Sequence, residues 1–243
     1  MLHLLLQIGL GLLALLLGTI LAVPVAYYAW WWKRELLVWR RSTEKRLEDK
    51  QAQQPVNPMW AVKLADLYQM RMYRSTGDTR QEQAAKSFTW YERAYRLTSA
   101  ERRRSMLNNL ARRAYDASVY DKAGVYATEL LHSLPRQPNY GIGHAIHDGN
   151  LVLGRLALRG GDITKAKDYL LKSGQTPGGP GLNTGGPSMM LAKELLEQGE
   201  SETVLRYFAL CAEFWKMDYG KLKKWAQQVQ QGQIPAFGKQ LYR

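Results

Sequence analysis

His144 and His147 stand three residues apart, beside Asp148 and Asn150. On a helix that spacing turns both imidazoles to one face, within reach of a single metal ion. Gly141, Gly143 and Gly149 surround the pair, and no Cys or Glu stands close by to complete a ligand set. Packing at a helix start is therefore the competing role. Cys211 is the only cysteine, so a disulfide within the chain is excluded. Its neighbours Phe208, Leu210, Phe214 and Trp215 make it a small buried hydrophobe rather than a nucleophile. No Ser, His and acid constellation can be assembled.

Two further features could bind rather than react. Residues 174–187, GQTPGGPGLNTGGP, are rich in glycine, and such a loop before a helix can hold an anion on its backbone N–H groups. It lacks the Gly-Lys-Ser/Thr ending of a phosphate-binding loop and follows no strand, so it reads as a connector between helices. Arg102, Arg103, Arg104, Arg112 and Arg113 make one helix basic, and positions 102, 103 and 113 could share a side as a footprint for RNA, acidic peptide or lipid. No nucleic-acid motif accompanies them, which leaves a solvated face as the default. No catalytic, cofactor-binding or metal-ligating set is assigned, and no cofactor is expected.

The elements that must carry these residues fall into three parts. Among 243 residues, 34 Lys plus Arg outnumber 21 Asp plus Glu, for a net charge of +13, yet residues 1–32 hold none of them. A hydrocarbon core of roughly 30 Å needs about 20 apolar residues in a helix, so a span from Leu4 to Tyr27 is expected, with a bend at Pro24. Tyr27, Tyr28, Trp30, Trp31, Trp32 and Trp39 form an interfacial aromatic belt. A cleaved signal peptide is the alternative, with a periplasmic body. It is disfavoured because no basic residue precedes the apolar run, which is also too long. Lys33, Arg34, Arg40, Arg41, Lys45 and Arg46 follow the run against Glu35 and Glu44, placing the body in the cytoplasm. Ala14, Gly18, Ala22 and Ala26 recur every four residues, a face suited to self-association or pairing with another membrane helix.

Residues 33–56 form a basic helical stalk and linker, and residues 57–243 form the body. Asn57-Pro58 is a capping residue followed by a first-turn proline. Beyond it apolar residues recur three and four apart, so the fold is all-α. The spacing predicts paired helices: 58–75 with 79–97, 100–117 with 120–134, 146–159 with 163–172, and 187–198 with 202–215.

The second pair carries Leu107, Leu110, Ala111, Ala114, Tyr120, Ala123, Ala127, Leu130 and Pro135. This pattern resembles the tetratricopeptide repeat, in which small residues sit where two helices cross. The third pair repeats it with Leu153, Gly154, Ala157, Gly161-Asp162, Ala166 and Leu170; Trp90 to Leu97 resembles a second repeat helix. The equivalent small residues Ala65, Ala111, Gly154 and Ala192 are 46, 43 and 38 positions apart, against a family period of about 34, so the hairpins carry inserted loops. The last hundred residues, with GGP at 185–187 and PAFG at 235–238, resemble the ending of uncharacterised bacterial proteins of this repeat type, to which no activity is attached. The resemblance implies a solenoid whose concave surface holds a protein or peptide partner; Tyr68, Tyr91, Tyr95, Tyr115 and Tyr126 are candidates to line it or, equally, to lie in the core. The expected function is a membrane-anchored interaction scaffold at the cytoplasmic face of a bacterial inner membrane. The alternative is a membrane-bound enzyme or metal-binding protein that uses His144 and His147.

Overall fold

The computed structural model describes residues 27, 28, 30–32, 43–134 and 141–241. The chain divides into two compact units, 1–54 and 55–243. In the first, Tyr27, Tyr28, Trp30, Trp31 and Trp32 are helical and exposed, and residues 43–53 form a helix within the expected stalk. The anchor residues 4–26, including Ala14, Gly18, Ala22 and Ala26, and the flank Lys33, Arg34, Trp39, Arg40 and Arg41 lie outside the described residues. Among the described residues, no helix is long and apolar enough to cross a membrane.

The second unit is all-helical among its described residues. Its helices are α1 (Pro58–Tyr73), α2 (Gly77–Leu97), α3 (Ala100–Asp116), α4 (Tyr120–His132), α5 (Ile142–Arg159), α6 (Ile163–Gly174), α7 (Pro180–Gly185), α8 (Met190–Leu196), α9 (Ser201–Phe214) and α10 (Lys221–Gln230), followed by a 3-10 turn, Gly238–Leu241. Asn57 starts α1 by accepting from the Met59 N–H at 3.0 Å, with Pro58 in the first turn, as the sequence predicts. Helices α1 with α2, α3 with α4 and α5 with α6 pack as pairs, and α9 packs on α8. Where they cross, Ala65, Ala84, Ala94, Ala111, Ala114, Ala123, Ala127, Ala166 and Ala192 are buried. At Gly154 even a methyl group is excluded, because a Cβ there would lie 2.4 Å from Leu191.

Three of the pairs turn in the same way. The N–H of Val119 bonds the Ala114 carbonyl at 2.9 Å, Asp162 bonds Ala157 at 2.9 Å, and Glu200 bonds Leu195 at 3.0 Å. Each bond closes over a residue with positive φ: Ser118 at 61°, Gly161 at 81° and Gly199 at 83°. This six-to-one bond satisfies a carbonyl at the helix end and requires a left-handed residue, which glycine adopts without strain. The three turns are spaced by the same 43 and 38 positions as the crossing residues.

The helix bounds differ from expectation at three places. Helix α5 begins at Ile142 rather than 146, a turn before His147. Helix α8 begins at Met190 rather than Pro187, with Met189 as its N-cap and the Ser188 and Met189 N–H groups bonded to His147 and to the Gln240 carbonyl. Helix α10 was not anticipated, although Leu222, Trp225 and Val229 form its buried stripe. That stripe joins Trp215, Phe208 and Phe237 in an aromatic core; the rings of Trp225 and Phe237 are 5.0 Å apart and nearly perpendicular.

Candidate functional site

Each junction between successive pairs is crossed by an arginine. Arg113 of α3, only 6% exposed, donates to Asp66 at 2.5 Å, to the Ala65 carbonyl at 2.8 Å and to the Ser87 hydroxyl, and lies over the Tyr91 ring. Arg155 of α5 grips Glu194 of α8 through two nitrogens at 2.7 and 2.9 Å and stacks on Tyr115 at 4.0 Å. Arg112 of α3 faces Asp148 of α5 at 3.9 Å, beyond hydrogen-bond distance. Paired and planar contacts of this kind fix orientation as well as adding energy.

Arg112 and Arg155 open onto a cavity of about 40 Å³, together with Arg80, Asp116, Asp148 and Tyr115. Room of this size holds a few water molecules or one planar polar group, not a metabolite. Arg80 reaches the Met72 carbonyl at 3.4 Å, and Asp116 accepts from Gln69 at 3.3 Å. A guanidinium offers five N–H donors, so Arg80 keeps donors beyond this contact and Arg112 beyond its hydrogen bond with Tyr73, and the two carboxylates keep acceptor positions. The notch therefore presents donors and acceptors side by side, with Leu241 of the C-terminal turn at its edge.

His147 is 1% exposed, with both ring nitrogens engaged. Nδ1 lies 3.1 Å from the Ser173 carbonyl, and Nε2 accepts the Ser188 N–H at 3.1 Å. Burial pushes the imidazole below its ordinary value, outweighing Asp148 and the Ser173 carbonyl, which act the other way. Neither nitrogen is left to ligate a metal, and His144 lies against Gly181. Among the described residues no group of three or more His, Cys, Asp and Glu gathers as a metal site. Asn150 donates to the Ile146 carbonyl at 2.7 Å.

The glycine-rich loop uses its own N–H groups. Gly178 bonds Thr176 at 3.2 Å, Gly179 bonds Asn183 at 2.9 Å and Gly186 bonds the Leu182 carbonyl at 3.1 Å, and the loop links α6 to α8. Cys211 is buried beside Tyr207, and burial raises its thiol far above the ordinary value. The shared face suggested for Arg102, Arg103 and Arg113 does not exist: Arg113 is buried, and Arg103 caps α2 by donating to the Thr98 and Arg96 carbonyls at 3.0 and 3.1 Å.

Of the five tyrosines, Tyr68 and Tyr91 are buried at 2% and 5% exposure and belong to the core, the alternative open to each, rather than to a partner-binding surface. Tyr95 and Tyr126 pack edge to face at 5.9 Å, and the Tyr126 hydroxyl donates to Glu92 at 2.8 Å. Tyr115 alone of the five borders the notch. The residues missed, Arg155 and Glu194, had one available signal. A basic residue follows the small crossing residue in three pairs: Ala111-Arg112, Gly154-Arg155 and Ala192-Lys193. Comparison with protein-family models, curated proteins and solved structures gives no match.

Proposed function

We propose that this chain is a single-pass protein of a bacterial inner membrane. Its body, tetratricopeptide-like in its pairing, is a scaffold that holds a segment of a partner protein at the cytoplasmic face. One observation carries the reading: Arg112 and Arg155, which occupy the same position in successive pairs, open with Asp116 and Asp148 onto one notch. The notch has room for one polar group, such as a backbone carbonyl or a carboxylate on a partner's surface, and is too small for a metabolite. The charge-free head and the basic residues after it support the anchor and the orientation. The stripe Ala14, Gly18, Ala22 and Ala26 supports pairing of two anchors. The net charge of the stalk, +3 over residues 33–50, is absorbed by membrane orientation and lends nothing to nucleic-acid binding.

A photo-crosslinking residue at position 112 or 155 of the full-length chain in native membranes is expected to capture a protein that the same residue at exposed Val125 does not. Equal capture at all three positions, or none at 112 and 155, contradicts the reading. A reporter active only in the cytoplasm, fused after Arg243, is expected to work; activity of a periplasmic reporter there overturns the orientation.

A further inference from the structure

A ring nitrogen that accepts a backbone N–H carries no proton, so His147 is neutral, with its proton on Nδ1 toward the Ser173 carbonyl. The Ser188 N–H that it accepts belongs to the connector 186–189 between α7 and α8. The connector is buried along its length, and the Gly186 N–H bonds the Leu182 carbonyl at 3.1 Å. Tyr207 of α9 donates to the Ser188 carbonyl at 3.1 Å, and the Met189 N–H donates to the Gln240 carbonyl at 2.9 Å. Gln240, 1% exposed, returns a bond from its side chain to the Gly185 carbonyl at 2.9 Å. The C-terminal turn thus hangs on the connector, and Leu241 closes one edge of the notch.

We propose that His147 is a proton-operated latch: protonation at Nε2 expels the Ser188 N–H, loosens connector 186–189 with the C-terminal turn, and opens that end of the notch. Once both nitrogens are donors, the Ser188 N–H faces another N–H and loses its acceptor. The charged and titratable groups around the ring are few. Asp148 Oδ1, 3.9 Å from Nε2 on the same helix, is beyond hydrogen-bond distance but favours the charged ring electrostatically. His144, one turn earlier, and Arg112 of α3 oppose the new charge. Tyr207 of α9 reaches Ser173 and Ser188, and burial holds its hydroxyl neutral. Burial of His147 resists protonation in the closed state, so proton uptake belongs to the opened one.

In the opened connector the imidazole recovers its ordinary value of about 6.5, so the opened population rises about tenfold between pH 7.5 and pH 5.5. The inference goes beyond the scaffold reading and needs no partner, so its failure leaves that reading intact. The test is amide hydrogen exchange of the full-length chain in lipid nanodiscs. Protection of Ser188 and Met189 is expected to fall about tenfold over that range in the wild type, with α1 amides unchanged. His147→Gln is expected to abolish the pH dependence; His144→Gln is expected to retain it. Unchanged protection in the wild type, or a tenfold fall that survives His147→Gln, overturns the latch. Should that variant fail to fold, the ring nitrogen shifts of wild-type His147 decide. They are expected to titrate in step with Ser188 exchange, and titration out of step refutes the proposal.

Discussion

Arg112 and Arg113 are neighbours in sequence with opposite fates, the first open to a notch and the second sealed between two pairs. Replacing Arg113 with Met removes the donor to the Ser87 hydroxyl oxygen and leaves the Ala65 carbonyl with the Ser87 O–H alone among side-chain donors, a cost of about 1–3 kcal/mol. Asp66 lies more than half exposed and can turn to water, so Asp66→Asn is expected to cost less. Urea denaturation of the two variants checks the order. Glu92 is the buried carboxylate of α2, held by Lys122 at 2.6 Å, Arg96 at 2.8 Å and Tyr126. Burial alone would raise its carboxyl, but the hydrogen bonds from Lys122 and Tyr126 outweigh it and hold the group below 4.5. A depressed carboxyl stabilises the fold above its unfolded value, and that contribution fades as pH falls through the folded one. Tyr126→Phe is therefore expected to cost about 1 kcal/mol at pH 7. Its deficit should narrow below about pH 4.5 in acid titrations of stability. His147, also depressed, adds an earlier decline that begins near pH 6.5.

At the scale of elements, two glycines inside helices demand opposite outcomes. A Cβ at Gly124 in α4 would meet only Leu156, at 3.5 Å, so Gly124→Ala is expected to stabilise by up to about 1 kcal/mol through helix propensity. A Cβ at Gly143 in α5 would collide with the Gly178 carbonyl at 1.6 Å, where backbone cannot step aside as a side chain can. Gly143→Ala is expected to destabilise by about 1–3 kcal/mol or more, read as opposite shifts in melting temperature. The pairs were legible in the sequence because each buries a stripe at helical spacing and small residues at its crossings. The start of α8 was not, since Pro187 is a good first helical residue and the bonds of the Ser188 and Met189 N–H groups run to the distant His147 and Gln240. The notch was half legible. Arg112 stood out as part of a basic run, whereas Arg155 acquires meaning only when α5 is stacked on α3 and α8.

For the whole molecule, the compact unit 55–243 carries the cores and the bonds that join its pairs. A fragment starting at Pro55 is expected to be soluble, helical and cooperative in unfolding; a circular dichroism spectrum of sheet or coil would contradict the fold. Contacts run mainly between helices adjacent along the chain, a topology that favours rapid, stepwise assembly. The tie between Gln240 and Gly185 is of another kind, since it joins residues 55 positions apart. Closing so long a loop costs entropy that the local turns do not incur, and it is repaid only after α8, α9 and α10 are in place. Docking of the tail therefore completes only after those helices are in place, and it seats Phe237 against Phe208 and Trp225.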